Sequence, residues 1–277
     1  MTSPDSKQAR ILNGLLLDYA AEGDALRDAV CGLDAATWRT PTPAQGWDVA
    51  AQIAHLAWTD EAAQMAMRAT HGDTSDWNRL FQRATADSQK LVNEAAHEGA
   101  TASQSELLRR WDRSRSALSV ALRSVDGPIP WFGPPMSAAS MATARYMETW
   151  AHGLDIYQTL GIDPPLTDRI RHVCHLGVRT RDFAYTTHGL RTPDEDFHIQ
   201  VSLPSGTLAT WGPDSAAQRI TGSAYDFARL VTQRIHRADT DLVADGRQAE
   251  FWLTIAQAFA GPPGTGREQA NSKPSST

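Results

Sequence analysis

The chain has 277 residues, of which 41% are hydrophobic and 21% charged, so it has the composition of a globular protein that can bury a core. Its formal net charge is -6 and it has no lysine- and arginine-rich run, which argues against a nucleic-acid-binding protein. It also lacks an apolar stretch long enough for a membrane span and the apolar segment of a secretory signal at its N-terminus. We therefore expect a soluble, cytoplasmic protein with no membrane partner.

The first part of the chain is rich in alanine, leucine, arginine and glutamate, which favour helices. The predicted helices cover residues 8–32, 47–70, 76–97, 102–125 and 137–160. Proline- and glycine-containing stretches interrupt the pattern at 40–47 and 126–135. Long helices joined by short loops predict a four-helix bundle, which we assign to a first domain at 1–163.

The pattern changes after the "GIDPP" stretch at 161–165. The predicted elements that follow are a helix at 166–188, a hairpin of strands at 197–204 and 206–212, and helices at 223–237 and 247–259. These elements predict a smaller α+β domain at 164–260, so the fold class is α+β. Residues 261–277 have little apolar content, which predicts a disordered tail.

The helix predicted at 137–160 carries polar side chains along one face. On a helical wheel, Arg145, Glu148, His152 and Asp155 fall within an arc of roughly 80°. A carboxylate and an imidazole four residues apart are both metal-ligand types. The alternative is a solvated face on which Glu148 and His152 form an ordinary ion pair.

A second candidate ligand, His55, lies in the helix predicted at 47–70, between apolar neighbours. Taken alone, it can equally be a core histidine whose nitrogens are satisfied by hydrogen bonds. If the two helices face each other, His55, Glu148 and His152 converge as two histidines and one carboxylate, a set that leaves coordination positions open. Cys31 and Cys174 form no Cys-x-x-Cys pair, so nitrogen and oxygen must supply the ligands.

Four segments carry a resemblance to a known family: "GWDVAAQIAHLAWTDEAA" at 46–63, "PWFGPPMSAASMATARYMETWAHGLDIYQTLG" at 130–161, "HVCHLGVRTRDFAY" at 172–185 and "TWGPDSAAQRITGSAYDFARLVTQR" at 210–234. They resemble the DinB-like metal-dependent bundles, in particular the actinobacterial branch that includes mycothiol-dependent maleylpyruvate isomerase and related mycothiol transferases. The resemblance implies that His55, Glu148 and His152 are the metal ligands and that the metal is zinc. The ligand set itself would also accept other divalent transition metals.

The resemblance also implies an activity. Our leading hypothesis is a zinc-dependent mycothiol S-transferase, in which the metal holds a low-molecular-weight thiol as a thiolate for attack or thiol exchange on a small electrophile. The electrophile could belong to specialised metabolism, for example lincosamide-type antibiotic biosynthesis. Two alternatives stay open: a mycothiol-dependent maleylpyruvate-type cis–trans isomerase, and a non-catalytic metal- or ligand-binding module. Sequence leaves the oligomeric state open.

Further site residues follow from the same segments. Trp131 and Phe132 precede the Glu148 helix and are candidates for a cofactor-binding wall, although a rigid interhelix connection explains them equally well.

Arg145 is expected to pair with Glu148 rather than to anchor an anionic substrate. The resemblance places Arg234 as a catalytic arginine from the second domain, with Arg229 and Arg237 as alternatives and an exposed helix charge as the simpler explanation. Asp60 and Glu61 are expected on a solvated helix face.

Overall fold

The computed structural model describes residues 4–270 of the chain. They divide into two compact units between Pro165 and Leu166. Within residues 4–270, every helix falls short of the length or the apolar character that a membrane crossing needs. The α+β fold class predicted from the sequence is confirmed, with helices in the first unit and a small sheet in the second.

The first unit is entirely helical apart from its loops. Its helices are α1 (Pro4–Val30), the single turn α2 (Ala35–Trp38), α3 (Val49–Thr70), α4 (Ser75–Gly99), α5 (Gln104–Ser124) and α6 (Ala138–Leu160). The five long helices begin and end within a few residues of the predicted bounds. The physical reason is clear at their ends: Asp48 caps α3 by accepting from the Ala51 N–H at 2.8 Å, and Gly161 ends α6 in the left-handed conformation with φ 65°.

Four of these helices, α1, α3, α5 and α6, pack on one another as a bundle, and α4 packs against α3. Each helix of the bundle contributes to one buried apolar cluster, through Leu26, Ile53, Trp111 and Ile156 respectively. Because α3 contacts both α5 and α6, its side chains are buried on most of their faces. This position of α3 brings His55 to the interior, next to α6.

The second unit combines short helices with one sheet. Its elements are α7 (Arg171–Arg179), α8 (Arg181–Thr187), β1 (Phe197–Ser202), β2 (Leu208–Trp211), β3 (Gln218–Ser223), α9 (Ala224–Val231), β4 (Val243–Asp245) and α10 (Arg247–Ile255). The strand order is β2-β1-β3-β4, with β1 antiparallel to β2 and parallel to β3. Trp252 of α10 contacts the rings of Phe197 and Phe227 at 5.7 and 5.9 Å, so helices and sheet share a core.

The structure corrects the sequence predictions for the second unit at three places. The helix expected over 166–188 is a short 3-10 turn followed by two helices, α7 and α8. The helix expected over 223–237 ends at Val231, because Gln233 has a φ of 58° that a helix cannot contain. Strands β3 and β4 were not predicted, and only long-range pairing defines them.

The predicted tail starts at residue 261. Residues 261–270 form neither helix nor strand, and at their end the Ala270 N–H donates to Asp239 Oδ2 at 2.9 Å. Upstream, Gln257 donates to the carbonyl oxygens of Phe259 and Gly261 at 3.0 and 3.2 Å. The remainder of the predicted tail, 271–277, lies outside the described residues.

The bundle core makes a first prediction. Leu118 and Val120 lie two residues apart on α5, and their exposed fractions are 0% and 67%. Leu118→Ala should lower the free energy of unfolding by about 2–5 kcal/mol, since it leaves a cavity in the core. Val120→Ala should change it by less than about 0.5 kcal/mol. Chemical denaturation of both variants measures the difference, and equal effects would contradict the assigned packing of α5.

Candidate metal centre

The three predicted ligands meet between α3 and α6. Glu148 and His152 project from successive turns of α6, and His55 faces them from α3. Glu148 Oε2 lies 3.4 Å from His55 Nε2 and 3.2 Å from His152 Nε2. Among residues 4–270, these side chains form the one group of three or more histidine, cysteine or carboxylate residues whose ligand atoms all lie within 4.8 Å of one another.

The spacing of these atoms suits a metal ion. Zinc bound to nitrogen and oxygen at about 2.0–2.1 Å in a tetrahedral site holds its ligand atoms about 3.3 Å apart. The two separations of ligand atoms, 3.2 and 3.4 Å, bracket that value. Two histidines and one carboxylate also leave further coordination positions free. The residues present therefore fit a divalent metal with room for an additional ligand.

His55 is buried and Glu148 and His152 are partly buried, and this partial exclusion of water sets the charge of the groups. Burial lowers the pKa of His55 to about 4, with the charge of His152 as the second cause, so His55 is neutral and able to bind a metal. Burial alone would raise the pKa of Glu148. Hydrogen bonds with His152 and His55 and the charge of Arg145 outweigh it and hold this pKa well below the ordinary value, so Glu148 is ionised.

Aromatic rings enclose the two histidines. The Trp47 ring lies 5.0 Å from that of His55 and stacks on that of His152 at 5.8 Å, while Trp58 lies 6.1 Å from His55. Trp47 is fixed in turn, because its Nε1–H donates to Asn93 Oδ1 at 2.9 Å. This packing excludes water from one side of the imidazoles and restricts their rotation.

Arg145 lies against the site from within α6. Its side chain is 4% exposed, and Nη2 is 3.8 Å from Glu148 Oε1. The guanidinium also stacks on the ring of Trp131, at 5.3 Å from its centroid. Nε and Nη1 are buried and have no hydrogen-bond partner within the described part of the chain. This burial favours pairing with Glu148 over direct contact of those nitrogens with a substrate.

Trp131 and Phe132 belong to an aromatic cluster that includes two side chains from α4. Trp131 stacks on Trp77 at 5.9 Å, and Phe132 lies parallel to Phe81 at 6.4 Å. Because Trp131 also contacts Arg145, the cluster lies beside the candidate metal centre. Its role in cofactor binding stays a prediction.

Arg234 lies in the second unit, in the turn after α9, where Nη1 donates to the Thr232 carbonyl oxygen at 2.6 Å. The residue before it is Gln233, the one non-glycine residue with positive φ within residues 4–270. The alternatives are engaged with carboxylates: Arg229 pairs with Asp226, and Arg237 pairs with Glu250 at 3.2 Å. A catalytic role for Arg234 stays a prediction.

The expected solvated face at Asp60 and Glu61 is wrong. Asp60 is buried and accepts a hydrogen bond from the Tyr19 hydroxyl at 2.7 Å. Glu61 is half-buried and pairs with Arg110 through two hydrogen bonds of 2.8 and 2.6 Å. The wheel of α3 could not reveal this, since three neighbouring helices cover most of its circumference.

Sequence reasoning missed Gln52 and Trp47 as site residues. Gln52 is fully buried on α3, and its Oε1 lies 2.5 Å from His152 Nδ1. A usable signal existed, because Gln52 is a polar residue in an apolar run, three positions before His55 on the same helix. Trp47 stands in the Gly-Trp turn at the start of that helix, and no local pattern indicates that its ring reaches both histidines.

The fold and the site together define a class: helical bundles that carry two histidines and one carboxylate between facing helices as a candidate metal centre. A family model described as "Mycothiol maleylpyruvate isomerase N-terminal domain" matches residues 19–157, half of the chain. The chain therefore belongs to the mycothiol-dependent maleylpyruvate isomerase family, a DinB-like enzyme family.

Individual proteins are similar over most of the chain. Uncharacterized proteins from two strains of Mycobacterium tuberculosis are 51% identical over 252 residues, which is 90% of this chain and 96% of theirs. The crystal structure of a mycothiol-dependent maleylpyruvate isomerase matches with a TM-score of 0.56 and 19% identity, covering 84% of this chain and 92% of that one. A histidine-to-alanine mutant of the isomerase matches with the same TM-score and 18% identity. At these identities the structural matches establish the fold.

The burial of Asp60 predicts how the free energy of unfolding depends on pH. Burial raises its pKa to about 7, whereas aspartate in an unfolded chain has a pKa of about 3.9. Between these values the folded protein binds more protons than the unfolded chain, so this group lowers stability as pH rises. Asp60→Asn removes the titration. The free energy of unfolding of the variant minus that of the wild type should therefore increase by about 2 kcal/mol from about pH 5 to about pH 7.

Denaturant titrations at both pH values measure this difference. Asp73→Asn, at an exposed carboxylate just beyond α3, is the control for loss of a carboxylate outside the core. A difference for Asp60→Asn that stays constant with pH would contradict the raised pKa.

Proposed function

We propose that the chain is a metal-dependent enzyme that uses a low-molecular-weight thiol, mycothiol, to act on a small unsaturated electrophile. The observation that carries the proposal is the convergence of His55, Glu148 and His152 at ligand spacing in a partly buried site. The family relationship supplies the thiol, since the family is described by mycothiol and maleylpyruvate. Zinc is the proposed metal, because histidine nitrogen and carboxylate oxygen suit it in this geometry.

When bound here, a divalent cation would favour the deprotonated form of a coordinating thiol at neutral pH. The chain's own residues would provide the rest of the environment. Trp47 excludes water from the two imidazoles, and Arg145 balances the charge of Glu148. The chain's own thiols are unsuited to the nucleophile's role: Cys174 is buried with a raised pKa, and Cys31 is exposed in the turn after α1, outside the ligand group.

Isomerisation is the first reaction to consider. Addition of a thiolate to one carbon of a cis double bond conjugated to a carbonyl group leaves a single bond that can rotate. Elimination of the same thiolate then restores the double bond in the trans form, so the thiol is regenerated and the net change is cis–trans isomerisation. The family's description supports this reaction ahead of net S-transfer.

S-transfer remains the second candidate, and one observation favours it. A dicarboxylate substrate calls for more than one cation. Within the described residues of the first unit, Arg145 is the cation beside the site, and its guanidinium is buried against Glu148 and Trp131. The aromatic cluster of Trp77, Phe81, Trp131 and Phe132 suits a less charged electrophile. A specialised-metabolite substrate, as in lincosamide-type biosynthesis, is a further prediction within this second candidate.

The metal assignment makes the next prediction. Purified wild-type chain should hold about one zinc per molecule, and His55→Ala, His152→Ala and Glu148→Gln should each lose most of it, because each removes one of three ligands. Elemental analysis measures the content. His71→Ala, at the exposed end of α3, is the matched control and should keep the metal.

Folding must be followed in parallel by circular dichroism, so that metal loss is not confused with unfolding. Full retention of zinc by the folded ligand variants would refute the site. Retention of another divalent metal in place of zinc would keep the ligands and change the metal.

The reaction itself makes a fourth prediction. With zinc and mycothiol, the chain should convert maleylpyruvate to its trans isomer with no consumption of thiol, whereas S-transfer consumes one thiol for each product. Following the substrate and the free thiol in one NMR time course distinguishes the two. Glu148→Gln should slow turnover by at least about 100-fold, since it weakens the metal site.

Two controls decide the remaining outcomes. S-methylated mycothiol retains the sugar portion but lacks the nucleophile, so it should support no turnover. Turnover at equal rate without any thiol would instead make the chain a hydrolase that uses water. Zinc binding without turnover of any unsaturated electrophile in a broad panel would favour a non-catalytic binding module.

A further inference from the structure

We propose that Gln52 is a positioning residue for the metal site, because its side-chain amide keeps the proton of His152 on Nδ1 and leaves the Nε2 lone pair for the metal. The inference deepens the proposed function and rests on it for the metal. Gln52 is 0% exposed on α3, and its Oε1 lies 2.5 Å from His152 Nδ1 on α6. The contact thus joins the two helices that carry the ligands.

The orientation of the Gln52 amide follows from Thr42. The Thr42 hydroxyl donates its single proton to the Trp47 carbonyl oxygen at 2.9 Å, so towards Gln52 it can only accept. The Gln52 atom at 2.8 Å from that hydroxyl must therefore be Nε2. Asp155 Oδ2, a second acceptor, lies 3.5 Å from the same nitrogen. With Nε2 turned to these two acceptors, Oε1 faces His152.

A carbonyl oxygen at this position requires a donor on the imidazole. His152 must therefore carry a proton on Nδ1, so Nε2 is the nitrogen left for a metal. Nε2 faces Glu148 Oε2 at 3.2 Å, where a cation between the two atoms is favourable. Histidine ligands commonly donate their second N–H to an oxygen in this way, and loss of that oxygen costs about 10- to 100-fold in metal affinity.

The effect is specific to one of the two histidines. Within the described part of the chain, His55 Nδ1 has no hydrogen-bond partner, so on that side of the ring packing, and not a polar contact, orients the residue. Removal of the Gln52 amide should therefore alter His152 and leave His55 in place.

The first measurement is the zinc dissociation constant of the full chain, by competition with a chelator. Gln52→Met preserves the volume and removes the acceptor, and it should weaken zinc binding about 10- to 100-fold. Gln64→Met is the matched control: Gln64 lies on the same helix and donates to the Asp60 and Ser114 carbonyl oxygens, away from the ligand group, so zinc affinity should be unchanged.

Thr42→Val tests the chain of hydrogen bonds. It removes the group that orients the amide, so it should weaken zinc binding in the wild-type background by less than Gln52→Met does. In the Gln52→Met background it should add nothing, because the amide it orients is gone. If the losses of zinc affinity caused by Thr42→Val and Gln52→Met were additive in the double variant, the proposed chain of hydrogen bonds from Thr42 through Gln52 would be overturned. Additive losses are the result expected if each variant only disturbs the packing.

The second measurement reads the proton directly and needs no metal. Nitrogen chemical shifts of histidine-labelled, metal-free protein should show a protonated Nδ1 for His152 in the wild type, and loss of that proton in Gln52→Met. An unprotonated Nδ1 in the wild type, or equal zinc affinity of wild type and Gln52→Met, overturns the inference. Failure of the wild type to bind zinc would instead refute the proposed function, while the nitrogen shifts still decide whether Gln52 sets the His152 proton.

Discussion

The site depends on one constraint: an ionised carboxylate, Glu148, lies inside a helical bundle with only 18% of its side chain exposed. An unpaired buried charge costs several kcal/mol, so the surrounding groups must offset it. Arg145 does so on one side of the carboxylate, and the two imidazoles face its other oxygen. This requirement fixes the rotation of α6 about its axis and the approach of α3, and it makes a cation at the centre electrostatically favourable.

The long helices of the first unit could be predicted from the sequence, whereas part of the second unit could not. Caps such as Asp48 and Gly161 act locally, so the ends of α3 and α6 could be predicted closely. The strands β3 and β4 could not, because β3 is defined by parallel pairing with a strand about twenty residues earlier, and no local signal carries that pairing. The break at Gln233 is likewise a property of the folded backbone rather than of the local composition.

The same division holds at the candidate site. Spacing on one helix placed Glu148 and His152 together, His55 was a candidate on a second helix, and the resemblance implied that all three are ligands. Burial of Asp60 escaped prediction, because polarity on a helical wheel indicates a solvated face only where no neighbouring helix covers it. Gln52 escaped for a related reason: its hydrogen bond crosses from α3 to α6, and only the packing of the two helices shows which side chain it meets.

The two histidines are held in place differently, His152 mainly by hydrogen bonding and His55 mainly by aromatic packing. His152 is fixed by a hydrogen bond on Nδ1 and by spacing from Glu148 on its own helix. His55 is fixed by contact with Trp47 and Trp58, without a polar partner on Nδ1 within the described residues. A change of packing at Trp47 should therefore displace both imidazole rings. A change in the hydrogen bonds from Thr42 through Gln52 should affect His152 alone. The geometry of α6 defines the position of the centre, and the packing around α3 determines how closely the third ligand approaches it.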